Sequence, residues 1–437
     1  MNTKSQFIIA APGSNAGKTT VTLGLLRLLK QKNIAVQPYK VGPDFIDPKF
    51  HEQACGATGI NLDLFMMREE HLQEQLGGSH EVSCIEGVMG LFDGARKAER
   101  STAELATKLD IPVILVVDAK AVAYSVAPLI QGFKHFDNDL NLAGVIFNRV
   151  GSESHYAFLE EACQDIGVRS FGYLKRLEGA QIPSRHLGLN FDHMAQFNET
   201  IDRIAMALED TVDWQGLLKE TAFDFENKTA ASLVQNESGQ IRFAVAKDEA
   251  FSFIYSQHIS AMKALGSVTF FSPIHDARLP DCDFLYLPGG YPENHLEALS
   301  ANNSMREDIG NYISEGGKTF AECGGMMYLG DSIAGKEGRS FEMVKAFHFA
   351  TSMEHPRMHL GYRQTKLDDL ELKGHEFHYS TLAAQNETPA KAIVTNAREM
   401  AVTTDIFVKQ QTMASYIHHY FGEKELLLKL VKQLEAL

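Results

Sequence analysis

An α/β protein of two tandem domains is what the sequence predicts, on three observations. Short apolar strands alternate with helix-like segments through residue 192. The alternation then gives way to a polar stretch, and a second alternating series runs from residue 240 to the end. Alternation of this kind reads as parallel sheets covered by helices on both faces. At 437 residues the chain is too long for one ordinary core. The expected organisation is a first domain over 1–192, a connection over 193–239 and a second domain over 240–437.

In the first domain the candidate strands are Phe7–Ala11, Ala35–Pro38, Val82–Glu86, Pro112–Val117, Ala143–Phe147 and Val168–Tyr173. The residues before Phe7 lack the length and cleavage site of a signal peptide, so the start leads into the first strand. Helices are expected at Thr19–Gln31, where Leu25, Leu26, Leu28 and Leu29 make an apolar face, and at Glu153–Ile166. An amphipathic helix, Glu199–Glu209, precedes the polar, weakly periodic stretch Asp213–Gly239. The second series has strands Ile241–Ala246, Val268–Phe271, Phe284–Leu287 and Thr319–Glu322. Helices are expected up to Leu265, near Met305–Ser314, after Cys323, and at Glu423–Leu437, whose leucines should cover a sheet.

Composition excludes several classes. A net charge of −15 argues against nucleic acid or an anionic membrane surface as partner. No apolar run approaches the roughly 20 residues that span a bilayer. The five cysteines are odd in number, scattered and without a C-x-x-C pair, so neither a disulfide framework nor a zinc site follows. A reducing cytoplasm is the expected compartment.

Two motifs carry chemistry. Ala10-Ala-Pro-Gly-Ser-Asn-Ala-Gly-Lys-Thr-Thr follows a strand and opens a helix, the setting of a phosphate loop. Gly13, Gly17, Lys18, Thr19 and Thr20 are its candidate nucleotide-binding residues, with the Thr19 hydroxyl as a magnesium ligand. Standard spacing would put glycine at position 12, where this chain has Pro12. Glu86 ends a buried-looking strand and is placed either to hold magnesium or to cap the next loop. Asp44 and Asp47 lie in a loop stiffened by two prolines; magnesium binding (Asp47), substrate orientation (both) and turn chemistry all fit them. Asn148 ends a strand, where its amide either reads adenine or caps the strand.

The second motif is Thr319-Phe-Ala-Glu-Cys-Gly-Gly: a strand running straight into a thiol, with two glycines after it. A nucleophile on a sharp strand-to-helix turn needs this, because backbone N–H groups beyond the thiol can then face an oxyanion. A catalytic cysteine also needs a base, and His418 of Ile417-His-His is the candidate for Cys323. Glutamine amidotransferases often carry a glutamate two residues beyond this histidine; here that position is Tyr420. Gly289 and Gly290 form a candidate oxyanion loop. His375, Glu376 and His378 have metal-like spacing without another ligand group evident nearby, which favours a structural or substrate-contact role.

Together these residues resemble the cobyrinic acid a,c-diamide synthase family of cobalamin biosynthesis. The resemblance runs through Val41-Gly-Pro-Asp-Phe-Ile-Asp-Pro, Asn61-Leu-Asp, Glu86-Gly-Val-Met-Gly-Leu-Phe-Asp-Gly and Ser101-Thr-Ala-Glu-Leu-Ala. It continues through Asn148-Arg-Val-Gly, Arg185-His-Leu-Gly-Leu, Asp248-Glu-Ala-Phe-Ser-Phe, Pro288-Gly-Gly-Tyr-Pro-Glu and Ala321-Glu-Cys-Gly-Gly. It implies a P-loop, dethiobiotin-synthetase-like ATP domain joined to a flavodoxin-like class I glutamine amidotransferase domain. It further implies ATP and magnesium as cofactors, with cobyrinic acid or a related tetrapyrrole and glutamine as substrates. In this family Cys323 would be nucleophile and His418 its base, Lys18 and Thr19 would hold phosphates and magnesium, Glu86 would be a second magnesium ligand, and Asn148 would contact adenine. The same chemistry on hydrogenobyrinic acid or nickel-sirohydrochlorin is the near alternative. An ATP-driven switch with an inert second domain is the distant one, and whether the chain forms a homodimer is left open.

Overall fold

The computed structural model describes residues 2–177, 179, 191–225 and 240–437. The chain divides into two compact units, Met1–Leu233 and Val234–Leu437. The family motif expected around Arg185 lies outside the described residues.

The first unit is a parallel sheet with helical crossovers. Its elements are β1 (Asn2–Ala10), α1 (Lys18–Gln31), β2 (Val36–Val41), α2 (Asp47–Cys55), β3 (Ile60–Leu62), α3 (Glu69–Leu76), β4 (Val82–Glu86) and α4 (Thr102–Lys108). They continue as β5 (Val113–Asp118), α5 (Val126–Phe136), β6 (Leu142–Val150), α6 (Glu153–Asp165), β7 (Ser170–Lys175), α7 (Phe191–Thr211), α8 (Trp214–Glu220) and β8 (Ala222–Phe225). Strand order is β3-β2-β4-β1-β5-β6-β7. Ile8, Ile9, Ile114, Leu115 and Val116 are all buried, as central strands of a sheet covered on both faces must be. Consecutive strands leave β1 toward opposite edges, so a crevice opens beyond its carboxyl end. The loops after β1, β2 and β4 and the end of β6 share that side.

Residues 193–225, expected as part of a connection, belong instead to this unit. Helix α7 is longer than the predicted Glu199–Glu209, and its Phe197, Ile201, Ile204, Ala205 and Leu208 join the core with Leu25 and Leu28 of α1. Strand β8 pairs antiparallel with Asn2–Ser5, which extends β1 toward the start of the chain. Neither feature shows in local pattern, since Asn2–Ser5 is polar and its first three residues pair with β8 alone.

The second unit opens with β9 (Ile241–Ala246), β10 (Phe251–Phe253), α9 (Ser256–Leu265), β11 (Gly266–Phe271), β12 (Phe284–Leu287) and β13 (Gly289–Gly290). After a short 3-10 turn come α10 (Leu296–Ala301), α11 (Asn303–Ser314), β14 (Lys318–Glu322), α12 (Gly324–Leu329), β15 (Ser332–Ala334), β16 (Ser340–Glu342) and β17 (Phe349–Ser352). The remainder is β18 (His359–Leu367), β19 (Leu370–His378), β20 (Thr381–Gln385), β21 (Ile393–Asn396), β22 (Ile406–Lys409), β23 (Thr412–Ser415), β24 (Ile417–His419) and α13 (Lys424–Ala436). The main sheet has order β11-β9-β12-β14-β23-β22, parallel except for β22. Leu427, Leu430 and Leu434 of α13 are buried in the core that Phe243, Tyr286 and Phe320 of this sheet line. Two further sheets, the mixed β16-β15-β17-β20 and the antiparallel β21-β18-β19-β24, were not legible in the sequence. Among the described residues, no helix is long and apolar enough to cross a membrane.

Candidate active sites

In the first unit the phosphate loop joins β1 to α1. Gly17 has a φ of 100° at the start of α1, a conformation that favours glycine. A side chain there would also collide with Asn148, since a Cβ would lie 1.9 Å from its Nδ2. Asn148 Nδ2 donates to the Ala16 carbonyl at 2.9 Å, and its Oδ1 accepts from Arg149 N–H at 2.9 Å. It therefore braces the loop from β6, and one N–H and one lone pair stay available for a base edge. The Lys18 ammonium folds over the loop onto the carbonyls of Met89 and Gly13. Thr20 sits half-buried in the first turn of α1.

Beneath the loop lies a buried charge network. Thr19 Oγ1 donates to Glu86 Oε1 at 2.6 Å. Lys40, on β2, contacts Glu86 Oε1 at 3.1 Å and Asp47 Oδ2 at 2.6 Å. His51 Nε2 lies 2.7 Å from Glu86 Oε2. Glu86 and His51 are fully buried, and Lys40 and Asp47 nearly so. Burial alone would raise the Glu86 carboxyl, but Lys40, then His51 and Thr19, hold it well below the usual carboxylate range. Burial likewise opposes charge on Lys40, and Glu86, Asp47 and Asp44 more than reverse that. The result is an ionised cluster at the carboxyl ends of β2 and β4.

Sequence reasoning missed Lys40 and His51. Asp47 and His51 are four apart on α2, hence on one face, and a lysine in the otherwise uncharged strand Val36–Val41 was the other signal. Asp44 does the turn chemistry that was one of its readings. Its Oδ1 accepts from Ile46 and Asp47 N–H at 2.8 and 2.9 Å and so starts α2.

In the second unit Cys323 stands between β14 and α12 with φ 46° and ψ −105°. A non-glycine residue held there is strained, and the surrounding strands and helix enforce it. Its N–H donates to Ser415 O at 2.8 Å, and Sγ lies 3.9 Å from Phe377 O. A Cβ built on Gly289 would lie 2.2 Å from His418 Cε1, 3.0 Å from Nδ1 and 3.3 Å from Cys323 Cβ. Thiol and imidazole therefore border the same point, and only glycine leaves it open. The Gly290 N–H is also close to Gly324, where a Cβ would lie 3.1 Å from it. The candidate oxyanion donors and the elbow thus come together.

Burial, then the charge on Glu293, pushes the Cys323 thiol well above its usual range. Burial, then His375 and the other neighbouring histidines, pushes His418 well below its own. Both shifts favour the uncharged thiol and the uncharged imidazole over the ion pair.

The motif His375-Glu-Phe-His is divided by strand alternation. His375 pairs in register with His418, stacks on it at 4.9 Å between ring centroids, and contacts Tyr255 Oη through Nδ1 at 3.2 Å. Glu376 and His378 point the other way. The ligand group that the sequence did not reveal there is His359, across from His378 on β18, and the three place ligand atoms within 4.8 Å. Glu376 is already engaged by Arg363 Nε at 2.7 Å, Thr404 at 2.9 Å and His378 Nε2 at 2.9 Å. Burial would raise its carboxyl, and these partners bring it down to about 2. We read the group as a buried ion cluster bracing β18 and β19.

One pH prediction follows. His258 and His418 lie well below the usual histidine value and His419 is down to about 3, burial being the first cause in each. Below about pH 6.5 the unfolded chain takes up protons that the folded unit refuses, so stability is kept above that pH and lost beneath it. Glu322 works oppositely: burial pushes it up to about 8, so its contribution falls as pH rises from the unfolded carboxylate value toward 8. His359 adds to the loss, and Glu293 and Asp405, both raised by burial, offset part of it, leaving a net loss on the order of 2 kcal/mol per pH unit between about pH 6 and 5. Urea unfolding of the second unit, followed by hydrogen exchange of its peptides, should show this steep acid loss. An unchanged midpoint would mean that the imidazoles ionise within the fold.

A phosphate-loop unit followed by a thiol-elbow unit defines an ATP-using glutamine amidotransferase. The family models agree: residues 7–189 match the CobQ/CobB/MinD/ParA nucleotide binding domain, and residues 242–426 match the CobB/CobQ-like glutamine amidotransferase domain. The chain is 38% identical to cobyrinate a,c-diamide synthase of Salmonella typhimurium, over 97% of this chain and 96% of that protein. It is 38% identical to hydrogenobyrinate a,c-diamide synthase of Rhizobium meliloti, over 94% and 98%. Against cobyrinate a,c-diamide synthase of Clostridium acetobutylicum the identity is 37%, over 98% and 99%. This chain belongs to the cobyrinate a,c-diamide synthase family.

Proposed function

We propose that the chain amidates the a and c carboxylates of cobyrinate in cobalamin biosynthesis, using ATP and ammonia drawn from glutamine. One observation carries this: the similarity to the synthases spans both units.

A carboxylate is a poor acceptor for ammonia because oxide is a poor leaving group. Transfer of the γ-phosphoryl group onto the carboxylate makes an acyl phosphate, from which ammonia displaces phosphate. Lys18 swings from the Met89 and Gly13 carbonyls to the outer phosphates. Lys40, held charged between Glu86 and Asp47, offers a second cation at the carboxyl end of β2. Asp44 and Asp47 orient the macrocycle's side chain.

Magnesium fits the donors present. The Thr19 hydroxyl already touches Glu86, and Asp47 shares the Lys40 ammonium with Glu86, so the oxygens gathered there are of the kind a hard cation takes. When bound, the ion would neutralise charge on the phosphates; Thr19, Glu86 and Asp47 would hold it.

In the second unit Cys323 sulfur attacks the side-chain amide carbon of glutamine. His418 accepts the thiol proton and returns it to the departing nitrogen, so ammonia leaves and a thioester remains. Water, relieved of a proton by His418, then releases glutamate. Backbone N–H groups at Gly290 and Gly324 face the oxyanion, with Gly289 leaving room for it. The cysteines, none of them in a disulfide, fit a reducing cytoplasm.

Hydrogenobyrinate is the second reading, favoured by relatives of equal identity that carry its name. Purified protein with ATP, magnesium, glutamine and, in turn, cobyrinate, hydrogenobyrinate or nickel-sirohydrochlorin decides between them by mass spectrometry. Two amides on cobyrinate are expected. ATP consumption without amidation of any macrocycle would overturn the proposal.

A further inference from the structure

We propose that Glu322 is a positioning residue that sets the His418 imidazole against the Cys323 thiol by clamping the backbone of His419. This rests on Cys323 and His418 being the glutaminase pair.

Glu322 immediately precedes the nucleophile, and His419 immediately follows the base. Alternation sends Cys323 and His418 to one side and their two neighbours to the other. On that far side the neighbours meet: Glu322 Oε1 accepts from the His419 N–H at 2.7 Å. Its second oxygen accepts from Tyr286 Oη, on β12, at 2.6 Å. The His419 ring is fixed in turn by Thr365, with Nε2 2.9 Å from Oγ1.

The clamp answers a need of the fold. Strand β14 pairs in register with β23 as far as Glu322 and Ser415, and beyond that point the two chains separate. β24 then pairs with β19. No ladder bond from β14 therefore reaches His419, and Glu322 supplies that link through its side chain. With the Cys323 N–H bond to Ser415, it ties the elbow to the chain that carries the base at two points.

Glu322 is 1% exposed, and both its hydrogen-bond partners are neutral donors; the His419 ring, with Nδ1 3.8 Å from Oε1, is held neutral by its own burial. Desolvating a carboxyl group without a cation is costly, and an apolar side chain would pack here at less expense. That cost marks the position as serving something other than stability. Burial pushes the carboxyl up to about 8, so near neutrality it is largely a neutral acid; glutamine matches its shape, keeps an oxygen to accept from the His419 N–H, and presents an N–H that the Tyr286 hydroxyl can accept.

The test compares Glu322→Gln, Glu322→Ala and Glu322→Asp in the full chain. Glutaminase kcat and KM, ammonium-dependent amidation and the rate of Cys323 alkylation by iodoacetamide are measured for each. Gln should stay within a few-fold of the parent. Ala and Asp, which remove or withdraw the acceptor, should lower glutaminase kcat and alkylation about 10²-fold, a loss of the size expected for a misplaced catalytic pair. KM for glutamine and ammonium-dependent amidation should hold. If Ala does not fold, Asp against Gln carries the same contrast.

Parent-like glutaminase in Asp or Ala would overturn the inference, as would equal impairment of Gln and Asp, or a parallel fall in ammonium-dependent amidation. Failure of the underlying reading looks different: a Cys323→Ala variant would then still hydrolyse glutamine.

Discussion

Replacing Cys323 with alanine is expected to abolish glutamine-dependent amidation while leaving amidation from added ammonium at the parent rate. The loss should be at least about 10⁴-fold in kcat, because removing the nucleophile of a covalent mechanism leaves only binding and the oxyanion donors. No compensating thiol is at hand: Cys282 is the other cysteine of this unit, and burial pushes its thiol up to about 11. The fold should survive, since Cys323 is small and held by its backbone bond to Ser415. Alanine keeps the Cβ, so the strain of the positive φ at this position is unchanged. Steady-state assays with glutamine and with ammonium, on one preparation, provide the check. Loss of both activities in a folded variant would mean that the two reactions share a site.

Glu86→Ala should do the reverse. It takes the central acceptor from a network that holds Thr19, Lys40 and His51, and leaves a buried ammonium with Asp47 as its remaining carboxylate in direct contact. Breaking such a cluster costs about 3–5 kcal/mol of stability. Trp214, the sole tryptophan, lies in the first unit and reports that loss by fluorescence during urea unfolding. Amidation should fail with glutamine and with ammonium alike, while glutamine hydrolysis at Cys323 persists. Glu86→Gln separates the two effects, keeping most of the packing and removing the charge. A variant amidating at the parent rate would show that the network is structural.

Legibility in the sequence followed locality. The thiol elbow and the phosphate loop were readable because each is a contiguous strand-turn-helix whose glycines and reactive residue sit together in the chain. Most parallel strands of both units were readable because burial on both faces makes them apolar runs; β3 and β23, short and partly polar, were not. What could not be read depends on pairing between distant segments. Asn2–Lys4 is strand because of β8, and α7 extends past its apolar face because α1 receives it. The polar strands β18 and β19 lack a period that distinguishes them from loop. The buried network was half visible. Glu86 and Asp47 stood out as acids at strand and loop ends, whereas Lys40 and His51 gain meaning only when β2, β4 and α2 converge. Glu322 was hidden by the cysteine beside it, since a carboxyl in an apolar strand announces a partner but not which one.

The most direct test follows nitrogen. Incubation of the protein with cobyrinate, ATP, magnesium and glutamine labelled with ¹⁵N in its side-chain amide should give a product carrying two labelled amides. One ATP should be consumed for each amide formed. Label recovered only as free ammonia, with the carboxylates of the macrocycle intact, would contradict the account.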